Sequence, residues 1–175
     1  MSIKTTAMTA KPKFNEKGKD IKMKKSRVVN SLKIQFPAKS ANEAFSRALI
    51  SSFAAQLDPT VEELCDIKTA VSEAVTNCIV HAYDDSVPEK KKIIKMHCFY
   101  DEDNLLSVKI TDNGRGIEDV KKAMEPLYTT GGEDRSGMGF PIMQSFTDEL
   151  KVKSVLYKGT TVTLKKYIGK ANYDI

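Results

Sequence analysis

Three patterns of apolar and polar positions alternate along the chain. Leu32, Ile34 and Phe36 are separated by polar neighbours, the period-two signature of a half-buried strand. Ser40 then stands three residues before Glu43, a capping box that predicts a helix over about 41–57, with Ala44, Phe45, Leu49, Phe53 and Leu57 as its apolar stripe. Asp58-Pro59 interrupts the chain, and Thr60 with Glu63 forms a second capping box. The helix it opens runs to about Tyr83, with Leu64, Ile67, Val71, Ala74, Val75, Cys78 and Ile79 on its buried face. Farther on, residues 92–100 and 105–111 flank the turn-like Asp101-Glu102-Asp103-Asn104, and residues 149–157 and 160–167 flank Tyr157-Lys158-Gly159. Both read as antiparallel hairpins. Between them lie short helical pieces at about 118–124 and 139–147, and six of the nine glycines.

Strands gathered around two long amphipathic helices predict an α+β two-layer sandwich: a mixed, largely antiparallel sheet with helices on one face. At 175 residues the chain is long enough for one domain with a substantial core. The expected organisation is a basic, disordered leader over 1–28, a folded domain over 29–170 and a tail over 171–175. No apolar run exceeds three residues, which excludes a transmembrane helix and a secretory signal. Cys65, Cys78 and Cys98 form an odd set without a C-x-x-C pair and are expected to be buried free thiols in a reducing cytoplasm.

The net charge of +5 is unevenly spread, because residues 1–30 alone carry eight lysines and Arg27 against Glu16 and Asp20. The rest of the chain is slightly acidic. A lysine-rich leader attracts polyanions, but Phe14 is its one aromatic. A solvated, unfolded segment is therefore the preferred reading, with no direct nucleic-acid partner. The abrupt change in composition also allows Met23 to be the natural first residue.

Chemistry concentrates in three places. Glu73, Asn77 and His81 are four apart and share one helix face among apolar neighbours. That row is either solvated or the mouth of a ligand cleft. Asp112, in Thr111-Asp112-Asn113-Gly114-Arg115-Gly116, continues the inward parity of Leu106, Val108 and Ile110. A carboxylate there can accept a hydrogen bond from a buried amino group, while Gly114 and Gly116 permit close backbone approach; a plain tight turn is the alternative. The third place runs from Glu125-Pro126-Leu127-Tyr128-Thr129-Thr130 through Arg135 to Gly137-Met138-Gly139. A glycine-bearing loop at a helix start presents free N–H groups to phosphate, and Pro141 is tolerated in the first helical turn.

In order and spacing, E-x-x-x-N on a helix, D-x-G-x-G after a strand, a loop ending in G-x-G and Gly159-Thr160-Thr161 in a hairpin resemble the Bergerat ATP-binding fold. The Walker pattern and the glycine-loop and H-R-D kinase signatures are absent. Four blocks are similar to the anti-sigma F factor (stage II sporulation protein AB) family of endospore-forming bacteria, which are serine kinases. They are Phe53–Thr60, Val71–Asn77, Pro126–Thr130 and Arg135–Phe140. Ala82 departs from the family in replacing the glycine usual after the histidine, and the segment 131–134 is a residue short.

The resemblance implies ATP or ADP as ligand with Mg²⁺ held through Asn77. It implies Asp112 on the adenine amino group, Gly114, Gly116 and Thr161 around the adenine, and Thr129, Thr130, Gly137 and Gly139 on the phosphate side. Arg135 would meet the terminal phosphate and Glu73 would act as general base. The implied partners are a sporulation sigma factor and an anti-anti-sigma factor that is the kinase substrate. Both would be met through the first helix at Glu43 and Arg47 by a homodimer in the cytoplasm, away from any membrane. Three rivals remain: a kinase of a general-stress sigma factor, a non-catalytic nucleotide-gated sigma-binding module, and a histidine kinase fragment. The last lacks a suitable phosphoacceptor, since the two histidines are His81, inside the motif, and His97, on a strand.

Overall fold

The computed structural model describes residues 26–127 and 137–169, together with the backbone of Thr5–Thr6. In chain order the elements are β1 (Thr5–Thr6), β2 (Val28–Pro37), α1 (Ala41–Ala54), α2 (Val61–His81), β3 (Ile93–Asp101), β4 (Leu105–Asp112), α3 (Val120–Ala123), α4 (Gly139–Ser145), β5 (Glu149–Val155) and β6 (Gly159–Tyr167). Single 3₁₀ turns follow α1 at Ala55–Leu57 and precede β3 at Glu89–Lys91. The strands form one sheet in the order β1-β5-β6-β4-β3-β2, and every described pairing is antiparallel. This is the expected two-layer α+β sandwich. The leader and tail expectations fall almost wholly outside the described residues.

Period-two patterning accounts for the sheet. Ile94, Met96 and Cys98 on β3, Leu106, Val108 and Ile110 on β4, and Val162 and Leu164 on β6 point to one face and are buried. There they meet Ile67, Ala70, Val71, Ala74, Val75 and Cys78 of α2. Fully burying one such Val, Leu or Ile side chain contributes roughly 1.5–3 kcal/mol. The interleaved positions Lys33, Lys95, Lys109 and Lys153 lie exposed on the opposite face. Positive charge is therefore not confined to the leader. Among the described residues no helix is long and apolar enough to cross a membrane.

The two predicted capping boxes part company. At α2, Thr60 is extended (φ −65°, ψ 162°); its hydroxyl accepts the Glu63 N–H at 3.1 Å, and the Glu63 carboxylate accepts the Thr60 N–H at 2.8 Å. At α1, Ser40 has helical dihedrals (φ −54°, ψ −36°) and makes no side-chain cap. The chain enters α1 through a tight turn in which Asn42 N–H bonds the Lys39 carbonyl at 2.9 Å, so the Ser40 hydroxyl is not presented to the helix end. Glu43 is engaged elsewhere, with Ser72 and Arg47.

Two further expectations are corrected. The buried face of α1 is Ser46, Ile50, Phe53 and Ala54, whereas Ala44 and Phe45 are exposed. Burial of Ser46 is permitted because its hydroxyl donates to the Glu43 carbonyl at 2.7 Å. Of the three free thiols, Cys78 and Cys98 are buried but Cys65 is exposed, on the outward side of α2.

Candidate functional site

Helical periodicity on α2 puts Glu73, Asn77 and His81 half-buried beside the fully buried Ala74, Val75 and Cys78. Glu73 and Asn77 of this row face the start of α4. A Cβ added to Gly139 would lie 3.2 Å from Glu73 Oε2 and 3.3 and 3.4 Å from Asn77 Oδ1 and Nδ2. The glycine therefore brings the α4 backbone against the carboxylate and the amide together, where a side chain would crowd both.

One residue past Asn77, the Cys78 thiol reaches Asp112 at the end of β4, with Sγ 3.7 Å from Oδ2. Asp112 follows the inward parity and is 6% exposed. Its Oδ1 accepts the backbone N–H of Gly114 at 2.9 Å and of Thr160 at 3.2 Å. Burial pushes the carboxyl above the usual range, opposed by those two N–H groups and the thiol. Burial also raises Cys78, and the neighbouring carboxylate raises it further. With Oδ1 satisfied by the backbone, Oδ2 is the oxygen left to accept a ligand hydrogen. An Asp in that state suits an amino group better than it suits a cation.

The glycines beside Asp112 are demanded by chain packing. A Cβ on Gly114 would fall 2.0 Å from the Ala82 carbonyl oxygen, and Gly116 (φ +73°) lies against the Val155 carbonyl. The Ala82 carbonyl accepts the Arg115 N–H at 2.8 Å, so the end of α2 and the Asp112 turn are in direct contact. Two contributors were not anticipated. Tyr83 joins the turn through its hydroxyl, which lies 2.6 Å from the Asn113 side-chain oxygen. Thr160, not Thr161, stands beside Asp112, because Val162 and Leu164 fix the inward parity of β6. Thr161 pairs with Thr111 at 3.0 Å on the outward side. The parity of Val162 and Leu164 was the available signal for Thr160; nothing comparable marked Tyr83.

Gly137 (φ +63°) packs on Leu127, whose N–H bonds the Gly137 carbonyl at 3.1 Å. Leu127 and Gly137, which flank the intervening segment, are thus in direct contact. Thr129, Thr130 and Arg135 lie in it, outside the described residues. On the other side of α2, the Arg47 guanidinium is 3.1 Å from the Glu43 carboxylate, which also accepts the Ser72 hydroxyl. Arg47 and Ser72 line a shallow groove with Cys65, Lys68 and Thr69. Ser72 is the sequence neighbour of Glu73, so this groove and the polar row occupy adjoining sides of one helix.

The donor set limits the chemistry. Among the described residues no three His, Cys, Asp or Glu gather in a way that could hold a metal. An amide oxygen such as that of Asn77 fits a different arrangement: Mg²⁺ in phosphate sites takes one or two protein oxygens and completes its shell from phosphates and water. Glu73, one turn away, can accept a proton from a hydroxyl brought to the same place.

Comparison with known proteins shows the family. The histidine kinase-like ATPase domain family matches residues 36–166. An anti-sigma F factor of Caldanaerobacter subterraneus subsp. tengcongensis is 54% identical over 142 residues, 81% of this chain and 96% of that protein. One from Thermoanaerobacter sp. (strain X514) is 52% identical over 141 residues, 80% and 95% of the two. A crystal structure of the RsbU and RsbW domains of Rv1364c from Mycobacterium tuberculosis superposes with a TM-score of 0.59 at 18% identity, over 80% of this chain and 33% of that one; it supports the fold. With about half of the aligned residues identical along nearly the full length of these relatives, the chain belongs to the anti-sigma F factor family, on a histidine kinase-like ATPase domain.

Proposed function

We propose that this protein uses Mg-ATP to phosphorylate a serine of an anti-anti-sigma factor and, as an anti-sigma factor, holds a sporulation sigma factor out of use. The observation that carries the reading is the convergence on α2. Glu73 and Asn77 face Gly139, and the adjoining Cys78 touches Asp112. One adenosine polyphosphate laid along the helix would meet the amide and the buried carboxylate at its two ends.

In this reading Asp112 Oδ2 accepts the adenine amino group, with Gly114 and Gly116 shaping the turn beneath the ring and Thr160 beside the carboxylate. Asn77 would hold Mg²⁺, which when bound would supply neutralisation of the phosphate charge. Thr129, Thr130, Gly137 and Gly139 line the phosphate side and Arg135 meets the terminal phosphate. Glu73 accepts the proton of the substrate serine as its oxygen attacks the terminal phosphorus, and ADP leaves with the electrons of the broken bond. Phosphoryl transfer depends mainly on positioning and charge neutralisation, with a carboxylate to orient the nucleophile. Such a base is worth about 10²–10⁴ in rate, or roughly 3–5 kcal/mol of barrier.

Both partner proteins dock in this reading on α1 at Glu43 and Arg47, beside the groove that adjoins Glu73, and the protein acts as a cytoplasmic homodimer. The test is transfer from labelled ATP with Mg²⁺ to the anti-anti-sigma factor. Acid-stable phosphoserine is expected, with Glu73→Gln slowing transfer by about 10²–10⁴ while ADP binding persists. Equal transfer by the variant removes Glu73 from its role. Nucleotide-dependent sigma binding without any transfer leaves a gated binding module.

A further inference from the structure

Three links join the end of α2 to the turn that carries Asp112, and Tyr83 is the centre of the strongest. Its hydroxyl lies 2.6 Å from the Ile93 carbonyl oxygen and 2.6 Å from Asn113 Oδ1, and it accepts the N–H groups of Ile93 and Asn113, each at 3.2 Å. One oxygen thus ties the exit of α2 to the first residue of β3 and to the residue after Asp112. The Arg115 N–H on the Ala82 carbonyl at 2.8 Å, and the contact of Gly114 with Ala82, complete the seam. Burial raises the hydroxyl above its ordinary range, so it remains a neutral donor and acceptor throughout the physiological range.

We infer that Tyr83 is the positioning residue that sets base selectivity, holding the Asp112 turn in register with the α2 row so that the carboxylate meets an adenine amino group. The inference rests on the nucleotide reading of the site. Asn77 and Asp112 reside on different elements, and their separation is fixed only where those elements are joined. The Cys78 contact with Asp112, at 3.7 Å, is a weak link. The Tyr83 hydroxyl instead accepts an N–H from each side of the turn's entry and has one proton to donate, to either the Ile93 carbonyl or Asn113 Oδ1. With that oxygen removed, Asp112 keeps its own backbone bonds but the turn is free to shift as a unit. Only interactions that depend on the place of the carboxylate are then lost. Those are the interactions that distinguish a base bearing an amino group from one bearing a carbonyl at the same position.

The experiment is equilibrium binding of fluorescent ADP and IDP to the full chain and to Tyr83→Phe. Wild type is expected to prefer ADP. In the variant, ADP affinity falls about five- to tenfold, the effect of one lost hydrogen bond, while IDP affinity stays within about twofold, so the preference collapses. Loss of a merely structural contact would weaken both nucleotides together. Asn113→Ala, at an exposed position, removes one partner and is expected to move the preference in the same direction by a smaller factor. A wild type that selects ADP beside variants that keep the full preference overturns the role of Tyr83 alone. A wild type that binds neither nucleotide overturns the nucleotide reading and this inference with it.

Discussion

The base end and the phosphate end of the site are built by different means. At the base end, Asp112 is gripped by two groups distant in sequence, Cys78 from α2 and Thr160 from β6, and by Gly114 of its own turn, with Tyr83 and Ala82 bracing that turn. At the phosphate end, Glu73 and Asn77 are placed by the period of a single helix and meet the backbone of Gly139. The first is a property of the whole fold, assembled before any ligand arrives. The second is a row of side chains whose use depends on what is brought to them. Changes at the base end should therefore alter affinity and selectivity, and changes at the phosphate end should alter rate.

The largest effect expected at the base end is that of Asp112→Asn. The amide oxygen can still accept the Gly114 and Thr160 N–H groups, so the fold survives, but the charge that receives the adenine amino group is gone. Hydrogen bonds to charged groups contribute about 1.5–3 kcal/mol, which corresponds to an ADP affinity roughly 10- to 150-fold weaker. Transfer at saturating ATP should change little. Titration calorimetry and the transfer assay measure the two quantities separately, and a variant that loses rate but keeps affinity would erase the distinction between the ends.

A second test uses the proton. Burial raises the Asp112 carboxyl in the folded protein, so the fold favours its neutral form. Stability from this group is therefore fully present below the ordinary carboxylate range and is lost as pH rises through the raised value. Affinity runs the other way, since the amino group is received by the carboxylate. ADP binding should weaken on acidification, approaching about tenfold per pH unit for one linked proton, with a midpoint above the ordinary carboxylate range. Asp112→Asn should be flat across that window. A wild-type profile as flat as the variant's would detach Asp112 from the ligand.

The two ends also differed in how far they could be read from residues alone. Helical period placed Glu73 and Asn77 on one side of α2, and strand parity turned Asp112 inward, because both follow from local geometry. The hairpins and the Thr60–Glu63 cap were legible for the same reason. Ser40 and Glu43 carry the same local pattern yet make no cap, since Glu43 is claimed by Ser72, 29 residues away, and by Arg47. The stripe on α1 was displaced because the neighbouring helix and sheet decide which side is buried. Tyr83 was invisible for a related reason. A tyrosine after a helix carries no pattern, and its meaning arises only when β3 and the end of β4 arrive beside it.

The smallest effect tests how much the thiol contributes to the base end. Cys78 is 4% exposed and its Sγ lies 3.7 Å from Asp112 Oδ2. A thiol is a weak donor, and at that distance its contribution to orienting the carboxylate is small beside two backbone N–H groups. Cys78→Ser nearly preserves volume and supplies a stronger donor, but its shorter bond leaves the oxygen farther from the carboxylate unless the helix shifts. These changes oppose each other, so ADP affinity should stay within about threefold, and stability should fall by about 1 kcal/mol from placing a hydroxyl in an apolar wall. Binding and thermal unfolding measured on the same preparation resolve the two. A tenfold or greater loss of affinity at unchanged stability would mean that the thiol, rather than the backbone of the turn, orients the carboxylate. The base end would then depend, like the phosphate end, on what the side chains of α2 present.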